Sequence, residues 1–216
     1  MTAIITSDGS VPGTTRNFVK YTVRKIESLT GEEMSRVVSE TTRAFDGDPT
    51  FEFIFSSFGD LAHLVEVNMR YYLKAGEVYG AFDENGAIQG ISLWSGPGSA
   101  ALTAKTVLAN GMLGTFFGLL FKVGPGSFRR MLKVSDCTQK NHYAGEHWYL
   151  YWITAFRPGA GGALMDDAVE HLKGYAIYLE NSNYERNNEF YLKHGFEPLP
   201  EISWKGCVLH PMLRKR

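Results

Sequence analysis

The segment from His147 to Leu172 constrains the fold of this chain most. His147 to Ala155 reads HWYLYWITA, an aromatic and β-branched run of the kind that forms a strand. Gly159, Ala160, Gly161, Gly162 and Ala163 follow, and Ala163 to Leu172 then carries helical periodicity with two acidic residues early on. A strand, a tight glycine turn and a helix result. Such a turn presents main-chain N–H groups and the positive end of a helix dipole, a combination that suits a pyrophosphate. The small side chains matter because phosphate oxygens must come within hydrogen-bond distance of the backbone. Taken alone, the same glycines read equally well as a tight turn that binds nothing, since Gly is the commonest turn residue.

The flanking sequence supplies the remaining elements. Val19 to Ile26 alternates as a half-buried strand, and Thr30 with Glu33 forms a capping box for a helix through Phe45. Asp48-Pro49 is expected to break the chain, with a second helix from about Asp60 to Lys74. Glu77 to Phe82 and Ala87 to Trp94 read as a hairpin closed by Asp83-Glu84-Asn85-Gly86, where the Asn-Gly pair favours positive φ. Residues 100 to 141 read as two or three helical pieces split by Gly111, Gly114 and Gly124-Pro125-Gly126. They form an insertion that shapes a substrate site. Tyr175 to Glu180 is a further strand, Asn187 to His194 a short helix ended by Gly195, and Phe196 to Leu213 supplies two last strands around Lys205-Gly206. Residues 1–17 read as a flexible segment and 18–216 as one domain.

Composition removes several classes of function. The 216 residues are 44% apolar, enough for a real core, and 22 Lys plus Arg nearly cancel 23 Asp plus Glu. No net field then draws the protein to nucleic acid or anionic lipid. The longest apolar stretch, Met112 to Val123, is interrupted by Gly114, Thr115, Gly118 and Lys122 and is too short to span a bilayer, so no membrane partner is expected. Cys137 and Cys207 lack zinc-ligand or disulfide spacing, so no metal is expected. The first residues do not resemble a secretory signal, and the expected location is cytoplasmic. A homodimer stays open.

Specificity comes from the order of motifs. The HWYLYW strand and the glycine turn are followed by Tyr178-Leu179-Glu180 and by Asn187-Asn188-Glu189-Phe190-Tyr191-Leu192-Lys193-His194-Gly195-Phe196. This order, over about Glu146 to Phe196, resembles the GNAT (N-acetyltransferase) superfamily, especially small-molecule acetyltransferases of the puromycin N-acetyltransferase kind. The resemblance implies an α/β (α+β) fold with a central mixed, mostly antiparallel sheet. Its fourth and fifth strands splay apart, helices flank it, and a helical insertion follows the third strand. It also implies acetyl-CoA as cosubstrate and the amine of a small molecule as acceptor. Carried onto this chain, Ile153, Thr154 and Ala155 become backbone partners of the pantetheine arm, and Gly159 to Ala163 the pyrophosphate cradle. Asn187 becomes a pantetheine-side polar contact, and Tyr191 lies near the sulfur. The connection after the fourth strand is shorter than the family pattern: Phe156 stands where relatives carry Gln or Arg, and Arg157 is the candidate charged phosphate contact.

Aminolysis of a thioester needs a neutral amine, a stabilised oxyanion and a proton for the departing thiolate. Tyr191 is the candidate proton donor, because a phenol with a pKa of about 10 keeps its proton at neutral pH; a packed core Tyr is the alternative. Glu180 is the first candidate base, the alternative being a carboxylate that caps backbone N–H groups or pairs with Arg186. His147 is the second, the alternative being a strand-end His bonded to a carbonyl. Of Trp148, Tyr149, Tyr151 and Trp152, at most half can line an acceptor pocket, because alternate strand residues face opposite ways. Phe116, Phe117, Phe121 and Phe128 are candidates to close over the acceptor, or to form simple core. A non-catalytic acyl-CoA or metabolite-binding domain on the same scaffold is the competing reading.

Overall fold

The computed structural model describes residues 20–98 and 104–216; the N-terminal segment and the first residues of the insertion lie outside this range. In chain order the elements are β1 (Thr22–Lys25), α1 (Gly31–Ala44), α2 (Pro49–Ile54), α3 (Phe58–Ala75), β2 (Glu77–Phe82) and β3 (Ile88–Ser95). The insertion gives α4 (Ala104–Ala109) and α5 (Leu113–Lys140). Then come β4 (His147–Ala155), α6 (Ala160–His171), β5 (Ala176–Asn181), α7 (Tyr184–Lys193), β6 (Glu197–Pro198), β7 (Ile202–Trp204) and β8 (Cys207–Arg214). The strands form one sheet in the order β1-β2-β3-β4-β5-β8-β6, with β7 paired to β8. All pairings are antiparallel except β4 with β5. This is the mixed sheet expected from the sequence.

Local chemistry explains most boundaries. Thr30 and Glu33 exchange both capping-box hydrogen bonds at the start of α1, at 2.8 and 3.2 Å. The expected break at Asp48-Pro49 is instead a helix start. Asp48 Oδ1 accepts from Thr50 N at 3.0 Å and Phe51 N at 3.2 Å, and Pro49 occupies the first helical turn, where its missing N–H costs nothing. The hairpin closes as expected, but Gly86 alone takes positive φ (78°), while the Asp83 carboxylate accepts from Asn85 N and Ala87 N. In the insertion, Gly111 separates the two helices at φ 66°. Gly124 (φ 76°) kinks α5 rather than ending it, and Gly114 lies inside α5.

Helices cover both faces of the sheet. One face carries α1, α2, α3 and α5 over a core that includes Phe45, Phe51, Tyr72 and Trp152. The other carries α6 and α7 over Leu150, Ile153, Leu179, Phe190, Tyr191 and Phe196. Two irregularities in β4 position the site. In its ladder with β3, Leu93 pairs with Trp152 and Trp94 with Leu150, so Tyr151 is a bulge residue. The bulge resets the alternation and sends Leu150 and Ile153 to the same core. On the other edge, β4 pairs with β5 only from His147 to Tyr149, opposite Ala176 to Tyr178. Beyond that point β5 continues beside β8 alone, and the sheet splits.

Candidate active site

Glu180 occupies β5 just past its last pairing with β4, on the same face as Tyr178, and is fully buried. Its carboxylate is held by residues brought from far along the chain. Tyr149 donates its hydroxyl to Oε2 at 2.5 Å, and His142 Nδ1 lies 3.3 Å from Oε1. Burial pulls the Glu180 carboxyl upward, but donation by His142 and Tyr149 opposes it and holds the group below the usual carboxylate range. Burial and the Glu180 charge push the Tyr149 and Tyr178 phenols well up, so both stay protonated. His142, in the connection between α5 and β4, places Nε2 3.0 Å from His147 Nε2, and His147 Nδ1 lies 2.5 Å from Gly145 O. Burial, with a smaller contribution from His142, lowers the His147 pKa, and the Gly145 carbonyl only partly opposes this.

This cluster lies at the end of a cavity of about 370 Å³. Its walls are apolar: Ile54 from α2, Leu64 from α3, Val107 from α4, and Phe116, Phe128 and Met131 from α5. Tyr149, Tyr151, His142 and Glu180 supply its polar end, and Ser135, Asp136, Thr138 and Gln139 of α5 add a polar strip along one side. Leu113, Phe117 and Leu132 also line it while remaining 40%, 59% and 52% exposed, which marks an apolar mouth. The insertion therefore builds much of the pocket. Phe116, Phe117 and Phe128 line it, Phe116 and Phe128 also packing on the core, whereas Phe121 points outward at 84% exposure.

The other sequence-derived positions lie along the split and on the far face. Ile153, Thr154 and Ala155 pair with Ser92, Ile91 and Gly90 of β3, and among the described residues no strand pairs with their other edge. Residues 156–159 connect β4 to α6. Gly159 takes φ 88° as the residue before the helix. The first intrahelical bond runs from Ala163 N to Gly159 O at 3.0 Å, so the Gly161 and Gly162 N–H groups fall in the first turn, where a helix offers no acceptor of its own. Ala160 N is already bonded to Arg157 O at 3.2 Å, and the exposed Arg157 side chain turns back onto Phe156 O at 2.7 Å. Asn187 is buried on α7, 3.4 Å from Asn181 Oδ1. Tyr191 is fully buried against Phe190 and Phe196, across the sheet from Glu180.

Glu180 and His147, read separately from the sequence, thus belong to one cluster through His142. Among the described residues, Glu180 is met by His142 and Tyr149 rather than by Arg186. His142 was not legible: it lies in a connection without periodicity, 38 residues from the carboxylate that it meets. Among the described residues, no group of three or more His, Cys, Asp or Glu is placed to hold a metal ion, and no helix is long and apolar enough to cross a membrane.

No protein-family profile matches the sequence, and no curated protein matches it. Solved structures do. A Corynebacterium glutamicum protein described as histone acetyltransferase HPA2 and related acetyltransferase aligns over 90% of this chain and 96% of its own, with TM-score 0.61 and 24% identity. Arylalkylamine N-acetyltransferase 2 from Aedes aegypti covers 89% of this chain and 98% of its own, with TM-score 0.56 and 13% identity. An agmatine N-acetyltransferase covers 90% and 98%, with TM-score 0.56 and 10% identity. With its parallel β4–β5 pair, its split and its flanking helices, the chain has the fold of the GNAT N-acetyltransferase superfamily.

Proposed function

We propose that this chain is an acetyl-CoA-dependent N-acetyltransferase whose acceptor is a primary amine on a largely apolar body. The observation that carries the reading is a buried carboxylate, Glu180, at the polar end of an apolar cavity beside the split between β4 and β5. An ammonium group entering that cavity meets one fully buried carboxylate among mostly apolar side chains, the second lining carboxylate, Asp136, being already paired with Lys140 at 3.0 Å. An acceptor with several charges would leave some of them unpaired there, at a cost of several kcal/mol each.

The residues fit the cosubstrate. The unpaired edge of Ile153 to Ala155 offers main-chain groups to an extended amide-bearing arm, and Gly161 and Gly162 present N–H groups at the start of α6. Arg157, exposed beside that turn, has the reach and charge for a phosphate. Acetyl-CoA supplies an acyl group already activated as a thioester. Glu180 takes the proton that frees the amine lone pair. Main-chain N–H groups on the free edge of β4 are suited to hold the negative oxygen. Tyr191 is assigned the proton for the departing sulfur.

The short Phe156–Gly159 connection favours a second reading, in which the scaffold binds an acyl-CoA or metabolite without turnover. Free-thiol release from acetyl-CoA separates the two. Release with phenethylamine, weaker release with spermidine, and a loss of about 10²- to 10⁴-fold in Glu180→Gln are expected, the usual range for a general base. Binding of acetyl-CoA without thiol release from any amine supports the second reading.

A further inference from the structure

The first half of α5 is largely apolar on every side, yet only part of it is covered. Phe116, Leu119 and Val123 pack on the core, whereas Leu113, Phe117 and Phe121, spaced four residues apart, form an exposed stripe. Beyond the kink at Gly124, Leu132 adds another exposed apolar side chain, and with Leu113 and Phe117 it rims the mouth of the cavity. Four of the eight exposed large apolar side chains among the described residues thus gather on α5. Such a cluster marks an interaction surface, where single exposed apolar residues would not. The charges beside it have one sign. Between Glu84 and Asp136 the sequence has no Asp or Glu and five bases, Lys105, Lys122, Arg129, Arg130 and Lys133. Arg130 donates to Ile54 O at 2.9 Å, but Lys122, Arg129 and Lys133 are exposed, and among the described residues no carboxylate pairs with them. Elsewhere Arg43, Arg70, Lys140, Lys173, Lys215 and Arg216 each meet one. The net charge of -1 hides this local asymmetry, because charges act on a partner over about 8–10 Å in physiological salt and not across the whole molecule.

We infer that this face of α5 docks on an anionic lipid surface, with Leu113, Phe117 and Phe121 entering the acyl boundary and Lys122, Arg129 and Lys133 meeting headgroup phosphates. Phe and Leu side chains flanked by Lys and Arg are the chemistry of an interfacial helix, which lies in the plane of the membrane without crossing it. A second copy of this chain fits the face less well. In a two-fold contact the same patch faces itself, so Lys122, Arg129 and Lys133 are set against their own copies and repel them. An anionic surface turns each of these charges into an attraction, worth about fivefold in binding per base. Docking also turns the mouth of the cavity toward the bilayer, since Leu113 and Phe117 belong to both. In a consequence that rests on the acyltransferase reading above, an amine dissolved in the lipid then enters the cavity without passing through water. The docking itself stands without that reading.

Flotation of the full chain with lipid vesicles tests the inference. It needs neither acetyl-CoA nor an acceptor, so a failure of the acyltransferase reading remains distinguishable. Binding to vesicles of equal parts phosphatidylcholine and phosphatidylglycerol is expected, with little binding to phosphatidylcholine alone and a decline as salt rises. The combined variant Lys122→Gln, Arg129→Gln, Lys133→Gln is expected to bind about 100-fold more weakly, at about fivefold per charge. These three side chains are exposed and lie outside the cavity lining, so its melting temperature without vesicles is expected to match the wild type. Phe121→Ser is expected to weaken binding at every salt concentration, and Phe121→Trp to add a blue-shifted emission component on contact with the mixed vesicles. Failure to float with the anionic vesicles overturns the inference, as does binding that is unchanged in the combined variant. A concentration-dependent dimer that Phe121→Ser dissolves, in place of vesicle binding, assigns the face to a second copy and equally overturns it.

Discussion

Tyr191 is fully buried among apolar residues on the α6 and α7 side of the sheet, while Glu180 faces the cavity on the other side. The split between β4 and β5 is where the two sides approach each other, which is the arrangement needed if a base and an acid are to act on one reacting centre. Tyr191→Phe keeps the ring that packs on Phe190 and Phe196 and removes only the hydroxyl. Turnover is therefore expected to fall by about 10- to 1,000-fold with little change in thermal stability or CoA affinity, as steady-state kinetics beside a melting curve would read. A wild-type kcat removes the proton-donor role. Tyr191 and Glu180 were singled out as candidates because each belongs to a local motif, FYLKHGF and YLE. His142 and the hydroxyl of Tyr149 were not, because their importance lies in contacts with Glu180 that span 38 and 31 residues of chain.

At the level of elements, β4 does two things that a strand pattern cannot announce. Its bulge at Tyr151 resets which side chains face which core, and its early separation from β5 leaves a free edge. Both depend on what the neighbouring strands do, whereas the aromatic and β-branched composition that revealed the strand is local. Asp48-Pro49 illustrates the converse: a proline that reads as a breaker opens α2, because the preceding aspartate satisfies the first N–H groups. The close approach of α6 to β3 adds a testable constraint. A Cβ on Gly90 would come within 2.9 Å of Thr154 O and 3.1 Å of Ala160 Cβ. Gly90→Val is expected to destabilise the protein by about 1–3 kcal/mol, the usual cost of overpacking, and to loosen the start of α6. Chemical denaturation measures the first effect, and an unchanged midpoint would mean that the approach relaxes freely.

Across the whole molecule, the two faces of the sheet divide the work. The insertion helices α4 and α5, with α2 and α3, enclose an apolar pocket on one face, and α6 brings a glycine-rich helix start to the end of the split strands from the other. The element order that carried the resemblance was readable because glycine turns and aromatic strands leave local signatures. That the insertion shapes a site was expected, but the lining of the pocket was not legible, because α5 has no motif and acquires meaning only by packing on α2 and α3. Cosubstrate recognition is the claim on which the account rests. Isothermal titration of CoA into the folded protein measures it directly, with Gly161→Asp as the companion that places an anion beside the expected phosphates. The account predicts saturable heat for the wild type and a clearly weaker affinity for the variant; no heat from well-folded wild-type protein would contradict it.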